Sequence, residues 1–331
     1  MTDFKIRKFT HRDVVDFIRV ATSAFAEEWL ADGMTPDGFA RQTRQTFRWK
    51  MIPFRFLTAL VGIQWEAFVV EVNNRIVAGG MYSGRKNRMS ISNLMVEPEY
   101  RRQGIGQALL IKRLERLSER KVPFVTATVL QTNQASLGNL RKQGFVEYER
   151  KSVYRRSLPL LEEKSEYDVV GRTPRASDRA RFMEIEKRIF SPFVSHNRAA
   201  ERIYFPSLWR SLYGRFLGSQ DWIRVFETKD GVVGFLDAYS QDPATTGYIS
   251  QPVIAPENTH YFPEMIRQAG AWMETRGLES AKIDVSEQFG EVIRHLQNNG
   301  WTKEHTWIHL VKWLDDKSRE EFSFDANDSK L

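Results

Sequence analysis

Residues 99–110 read EYRRQGIGQALL, a grouping that can hold an anion. Arg101 and Arg102 supply two cations, Gln103 a side-chain amide, and Gly104 and Gly106 a backbone free of Cβ atoms. If a helix begins at these glycines, its first N–H groups have no intrahelical acceptor and its dipole favours negative charge. Glycine lets a bulky anion approach the backbone without collision. Arginine can add charge-assisted bonds to phosphate oxygens. Rival glycine-rich readings fail on spacing. A dinucleotide fingerprint needs a third Gly where Leu109 stands, and a phosphate-binding Walker loop needs the absent G-K-[ST]. From these residues alone, an ordinary strand-to-helix turn stays open as the alternative.

The elements that must position this loop are legible on both sides. Ile91–Val96 (ISNLMV) reads as a strand, and Pro98 and Glu99 turn the chain out of it. A helix starting near Gly104 places Ile105, Leu109, Leu114 and Leu117 on one face.

Composition excludes several chemistries. The chain has no cysteine, so disulfides, thiolate metal sites and a Cys nucleophile are all ruled out. Its six histidines show no H-E-x-x-H spacing, and no metal site is expected. At 331 residues, with 41% hydrophobic and 12% aromatic residues, the chain can bury about two cores. No run approaches the ~20 apolar residues needed to span a bilayer. The N-terminus lacks the apolar core of a secretory signal, so no membrane partner and a cytoplasmic location are expected. The net charge of +7 is uneven. Residues 1–156 carry 27 Lys/Arg against 15 Asp/Glu (+12), and residues 157–331 carry 22 against 27 (−5). A basic half invites an anionic ligand, and an acidic half suits a cationic one. Nucleic acid is disfavoured, because the basic residues are dispersed and no nucleic-acid-binding module is present.

The chain also repeats itself. At an offset of 165, Arg7 matches Arg172, Asp13 matches Asp178, Phe17 matches Phe182 and Phe25 matches Phe190. Asp13 and Asp178 fall at predicted helix starts, where a carboxylate favours exposed N–H groups. Later, LRKQGFVEY (140–148) resembles LQNNGWTKE (296–304), each with a Gly that can cap a helix before an aromatic strand. Between these anchors lie hairpins with expected turns at Asn73–Asn74 and Asp230–Gly231. The expectation is α/β with a mixed sheet, built twice: 1–155, a linker at 156–166, 167–315, and a disordered tail at 316–331.

Arg101-Arg102-Gln103-Gly104-Ile105-Gly106, an R-x-x-G-x-G sequence after a strand and a V-x-P-E-Y lead-in, resembles the acetyl-CoA loop of the GNAT N-acetyltransferase superfamily. The resemblance covers 1–155, and residues 167–315 look like a second, degenerate unit, so the whole is similar to tandem GNAT proteins. It implies two tandem acyl-CoA N-acyltransferase folds and acetyl transfer from acetyl-CoA to a primary amine of a small molecule or peptide. Residues 101–106 would then hold the CoA pyrophosphate. The splayed strand Leu94-Met95-Val96 would bind the pantetheine arm, with the Leu94 N–H stabilising the oxyanion. Asn133 matches the helix-start Asn of the family's N-x-x-A-x-x-L-Y-x-K-x-G-F pattern.

The sequence also departs from the family. Leu140 stands at the position of the usual general-acid Tyr and cannot donate a proton. Ser136 replaces a usual Ala and is a candidate donor through water. A carboxylate common early in the cofactor strand is replaced by Ser90, leaving Glu97 as a candidate base. Glu27 and Glu28 are candidates for attracting a cationic amine. Aromatics at Trp29, Phe47, Trp49, Phe54 and Phe56 fall where the family covers its acceptor. Without cysteine, direct attack in a ternary complex is the expected route. In the second half, Thr259, Phe262 and Glu264 stand at the positions of Arg101, Gly104 and Gly106. A Phe side chain would block phosphate approach and Glu would repel it, so one CoA site per chain is expected. The alternative is a non-catalytic CoA-binding or interaction protein. A homodimer is compatible with the sequence.

Overall fold

The computed structural model describes residues 3–24, 40, 64–160, 168–198, 200–205, 220–240 and 245–322. Glu27, Glu28 and the aromatics at 29, 47, 49, 54 and 56 lie outside them. The chain divides into two compact units, one holding residues up to Tyr148 together with the segment from Ile308, the other holding Glu149–Trp307. None of the described helices is long and apolar enough to cross a membrane.

The elements of the first half are β1 (Lys5–Lys8), α1 (Val14–Ala24), β2 (Gln64–Val72), β3 (Arg75–Arg85), β4 (Arg88–Val96), α2 (Ile105–Glu119), β5 (Phe124–Leu130), α3 (Gln134–Lys142) and β6 (Val146–Ser157). There follow β7 (Val170–Arg172), α4 (Arg179–Ile189), α5 (Pro192–Arg198), α6 (Glu201–Tyr204), β8 (Gln220–Thr228), β9 (Gly231–Ser240), β10 (Thr246–Ile249) and β11 (Val253–Ile254). The last are α7 (Phe262–Thr275), β12 (Ser280–Ser286), α8 (Gly290–Asn298), β13 (Thr302–Trp313) and α9 (Asp316–Glu321). The fold is α/β with mixed pairing, as expected.

In the first unit β1 to β4 are antiparallel neighbours, and β5 joins β4 in parallel. Alternation along β2 sends Phe68, Val70 and Val72 into one core and Val69 into another. The first core holds Ile105, Leu109, Leu114 and Leu117 of α2. The second holds Phe17, Val20 and Ala21 of α1. Both faces of the sheet are therefore covered, and both helices pack on the strand that precedes the glycine loop. The expected β2–β3 turn is present, with Asn73 and Asn74 at φ 48° and 62° as a primed turn requires. In the second unit the turn falls at Lys229–Asp230, one residue earlier than expected, and Gly231 (φ 125°) opens β9.

The second unit orders its strands β12-β10-β9-β8-β7, with β6 beside β12 and β11 on β9. Its two cores again take alternate strand residues, Phe226 and Leu236 in one, Val225 and Phe235 in the other.

The repeat appears as matching side-chain geometry. Arg7 Nη1 and Nη2 meet Asp13 Oδ2 and Oδ1 at 2.7 and 2.8 Å, and Arg172 grips Asp178 with the same atoms at the same distances. Each aspartate also accepts the backbone N–H three residues earlier, from Thr10 at 2.6 Å and Arg175 at 2.7 Å. Each arginine reaches a second carboxylate, Glu71 or Glu227. The aspartates thus act as bidentate ion-pair partners as well as caps.

Two findings differ from the sequence reading. Residues 316–321 form a helix rather than part of a disordered tail, with Asp315 Oδ1 capping it at the Ser318 N–H (2.7 Å). Residues 308–313 of β13 lie beside β5 in the first unit, with Phe124 and Trp313 in edge contact.

Candidate functional site at the start of α2

The first unit's loop is built by four consecutive backbone choices. β4 ends at Val96, Pro98–Tyr100 form one 3-10 turn, and Arg101 returns to extended backbone. Arg102 then turns left-handed at φ 62°, and Gly104 does so at φ 81° as the N-cap of α2. Only glycine takes the second of these at no steric cost. Among the described residues no side chain caps α2, so its first-turn N–H groups are open to another acceptor. A left-handed Gly104 followed by the right-handed first turn of α2 turns successive N–H groups to one side, an arrangement that can bind anions.

The space around the loop suits that role. A Cβ on Gly104 would meet nothing within 4 Å, and one on Gly106 only Val96 Cγ2 at 3.5 Å. Internal packing therefore does not demand glycine at 106. The two arginines separate in role. Arg101 donates through Nε to Val96 O and through Nη2 to Ala24 O, both at 3.1 Å, tying the loop to β4 and α1. Arg102 is exposed and has no hydrogen-bond or ion-pair partner among the described residues. Gln103 Nε2 donates to Glu99 O at 3.0 Å and closes the turn.

The strand before the loop opens as expected. β4 pairs with β5 only at Met89–Val125 and Ser90–Thr126, so Leu94-Met95-Val96 are parted from β5. Opposite β3 the register shifts between Gly79 and Met81, and two residues, Asn93 and Leu94, face the single Gly80. Asn93 accommodates this bulge at φ 52°. Met95 is buried in the core beneath α1, while Leu94 and Val96 border the core beneath α2.

The candidate proton-transfer residues fare differently. Glu97 is almost completely buried, and its carboxylate is held by Arg19 and, at 3.1 Å, by Arg75. Two arginines on one carboxylate make it a tie between β4, α1 and β3, an arrangement that opposes service as a base. Asn133 Oδ1 accepts the Ser136 N–H at 3.0 Å as the N-cap of α3, so both residues share a capping bond. Leu140 is buried in the first unit's core and faces no site. Sequence reading missed Arg113, a buried arginine under the bulge. Its signal was a cation on the otherwise aliphatic face of α2.

The matching segment of the second unit is wound differently. Pro256–Tyr261 form a continuous 3-10 stretch that runs straight into α7, with Tyr261 and Phe262 both right-handed. Phe262 is fully buried in the core, so the ring does not occupy an anion position as the sequence suggested. The loss comes instead from the helical winding, from Pro263, which lacks an N–H, and from Glu264, a buried carboxylate paired with Arg267 at 2.5 Å. The splay is also closed. β10 pairs with β12 as far as Ile249–Ile283, and Gln251 Oε1 then accepts the Ser286 N–H at 2.5 Å.

Residues 29–145 match the model of the acetyltransferase (GNAT) family. Over that stretch the chain is similar to GNAT acetyltransferases, and its fold is a GNAT fold. The fold extends this to both units: a tandem GNAT protein from the clavulanic acid biosynthesis pathway superposes with a TM-score of 0.60 at 14% identity, covering 95% of this chain and 99% of that one. A GCN5-related N-acetyltransferase from Sphaerobacter thermophilus gives 0.64 at 18% identity, covering 95% and 97%. One from Kribbella flavida gives 0.51 at 16%, covering 96% and 73%. No curated protein sequence matches. At these identities the structural likeness is one of fold.

Proposed function

We propose that this GNAT protein is an acetyl-CoA-dependent N-acetyltransferase with one cofactor site per chain, at β4 and α2 of the first unit. The observation that carries the reading is the uncapped, left-handed start of α2 directly after a splayed strand. The backbone N–H groups from Gln103 to Gly106 hold the pyrophosphate, and Arg102 supplies its free guanidinium to a phosphate oxygen. The parted edge of β4 at Leu94–Val96 binds the pantetheine arm through its backbone. Acetyl-CoA, when bound, supplies the activated acetyl group.

The Leu94 N–H at the bulge stabilises charge on the carbonyl oxygen as an amine attacks. With no cysteine in the chain, the amine attacks directly, and the acceptor is a primary amine of a small molecule or peptide. Leu140 offers no proton, so the thiolate departs without a tyrosine acid. That loss is worth ~100- to 10,000-fold where such an acid operates. The burial of Leu140 and the double pairing of Glu97 also favour a second reading, a CoA-binding protein without catalysis. Thiol release from acetyl-CoA across a panel of amines separates the two. Release with at least one amine supports the transferase, and tight binding without release for every amine supports the binding protein.

A further inference from the structure

The apolar face of α2 contains one charged residue. Ile105, Leu109, Leu110, Leu114 and Leu117 are buried there, and Arg113 is buried among them at 1% exposure. No ion pair to a carboxylate is formed by its guanidinium among the described residues, and burial alone pushes its pKa down to about 9. A cation in such a place is costly unless the backbone around it supplies acceptors. Here it does. Nη1 donates to Met81 O at 3.1 Å and to Ser92 O at 3.0 Å, and Nε donates to Leu109 O at 3.3 Å.

Met81 and Ser92 are the last paired residues before the register shift, so the guanidinium occupies the gap opened by Asn93 and Leu94. The residue across the gap is Gly80, whose absent Cβ would lie 2.9 Å from Nη1. Three features thus converge on one place: two ladder carbonyls turned to a side-chain donor, a glycine that leaves room for it, and a left-handed Asn93. Were Arg113 aliphatic, both part-buried carbonyls would lose this donor, and re-forming regular pairing across the bulge would be a simple way to replace it. A one-residue slip of β4 reverses the faces of Leu94, Met95 and Val96.

We propose that Arg113 is a positioning residue for acetyl transfer, holding the β4 bulge open so that the Leu94 N–H meets the reacting carbonyl. The proposal rests on the acetyltransferase reading above. It assigns Arg113 no contact with substrate, and it separates the bulge, where chemistry occurs, from the loop at 101–106, where most cofactor affinity resides.

The full-length chain with Arg113→Met tests it. Thiol release at saturating acetyl-CoA should fall at least 30-fold while the Kd for acetyl-CoA stays within threefold, and Arg113→Lys should recover to within fivefold of the native rate. In 15N-labelled protein, acetyl-CoA should shift the Asn93 and Leu94 amide resonances in the native chain and leave them unmoved in Arg113→Met. If Arg113→Met does not fold, Gly80→Ala presses a methyl group on the guanidinium and should give the same split at smaller size. A rate unchanged by both substitutions, or affinity and rate lost in parallel, overturns the proposal. Native protein that binds acetyl-CoA but releases no thiol removes the transferase reading instead. The amide shifts then still decide whether Arg113 sets the bulge.

Discussion

The two units place a helix after the same Pro-Glu step, and the backbone enters those two helices differently. In the first, Arg102 and Gly104 reverse the backbone hand and leave α2 uncapped. In the second, six residues of 3-10 turn feed α7, Pro263 removes an N–H, and Glu264 places a carboxylate in the first turn. The strand ahead differs in the same sense, parted from its neighbour in one unit and bridged by Gln251 in the other. One fold therefore supports both outcomes. What separates them is backbone hand and donor count over about ten residues, whereas the Arg–Asp corners that set the strand-to-helix angle match to 0.1 Å.

The largest effect that could break this contrast is at Gly106. Its backbone is helical and its Cβ position is open, so Gly106→Glu should leave the melting temperature unchanged or slightly raised, since an acid suits the first turn. Acetyl-CoA affinity measured by calorimetry should fall at least ~100-fold through charge repulsion and blocked approach. Retained affinity would remove the cradle assignment. Arg102→Ala deletes one charge-assisted bond and should weaken binding by roughly tenfold, with a shallower salt dependence.

The corners offer a test of sameness rather than difference. The Arg7 guanidinium holds the Asp13 carboxyl down at about 2, and Arg172 lowers Asp178 in the same direction. Because the folded value lies below the unfolded one near 3.9, the stabilisation is complete above about pH 4 and is lost as pH falls toward 2. Asp13→Asn should cost about 2 kcal/mol at pH 7 and flatten the acid limb of chemical denaturation between those pH values. Asp178→Asn should do the same to the second unit. A difference between them would show that the corners are less alike than their geometry. The smallest expected effect is Thr259→Arg, which restores the missing cation to the second unit. Binding should remain at one acetyl-CoA per chain, because the winding and Pro263 are unchanged.

Much of the site was legible because it is local. The R-x-x-G-x-G spacing, the strand before it and the apolar stripe after it lie within about thirty residues, and each follows from backbone and side-chain rules acting at short range. The turn at Asn73–Asn74 followed for the same reason. The second unit differs from the first over this segment, but not in the way its residues suggested. Phe262 at a glycine position suggested a blocking ring, yet the ring is in the core and the backbone itself closes the site. Glu97 looked like an available carboxylate, because its two arginines come from positions 22 and 78 residues away.

By itself, then, the sequence determined the repeat, the alternation of buried faces and the glycine loop at the start of α2. Tertiary structure alone decided which arginine of the loop meets the backbone, why a cation stands on the face of α2, and that residues 308–313 lie in the first unit. Periodicity states which face of a strand is buried without naming the neighbour along its edge. That neighbour is chosen by backbone hydrogen bonds between segments far apart in the chain, and those bonds carry no side-chain signature.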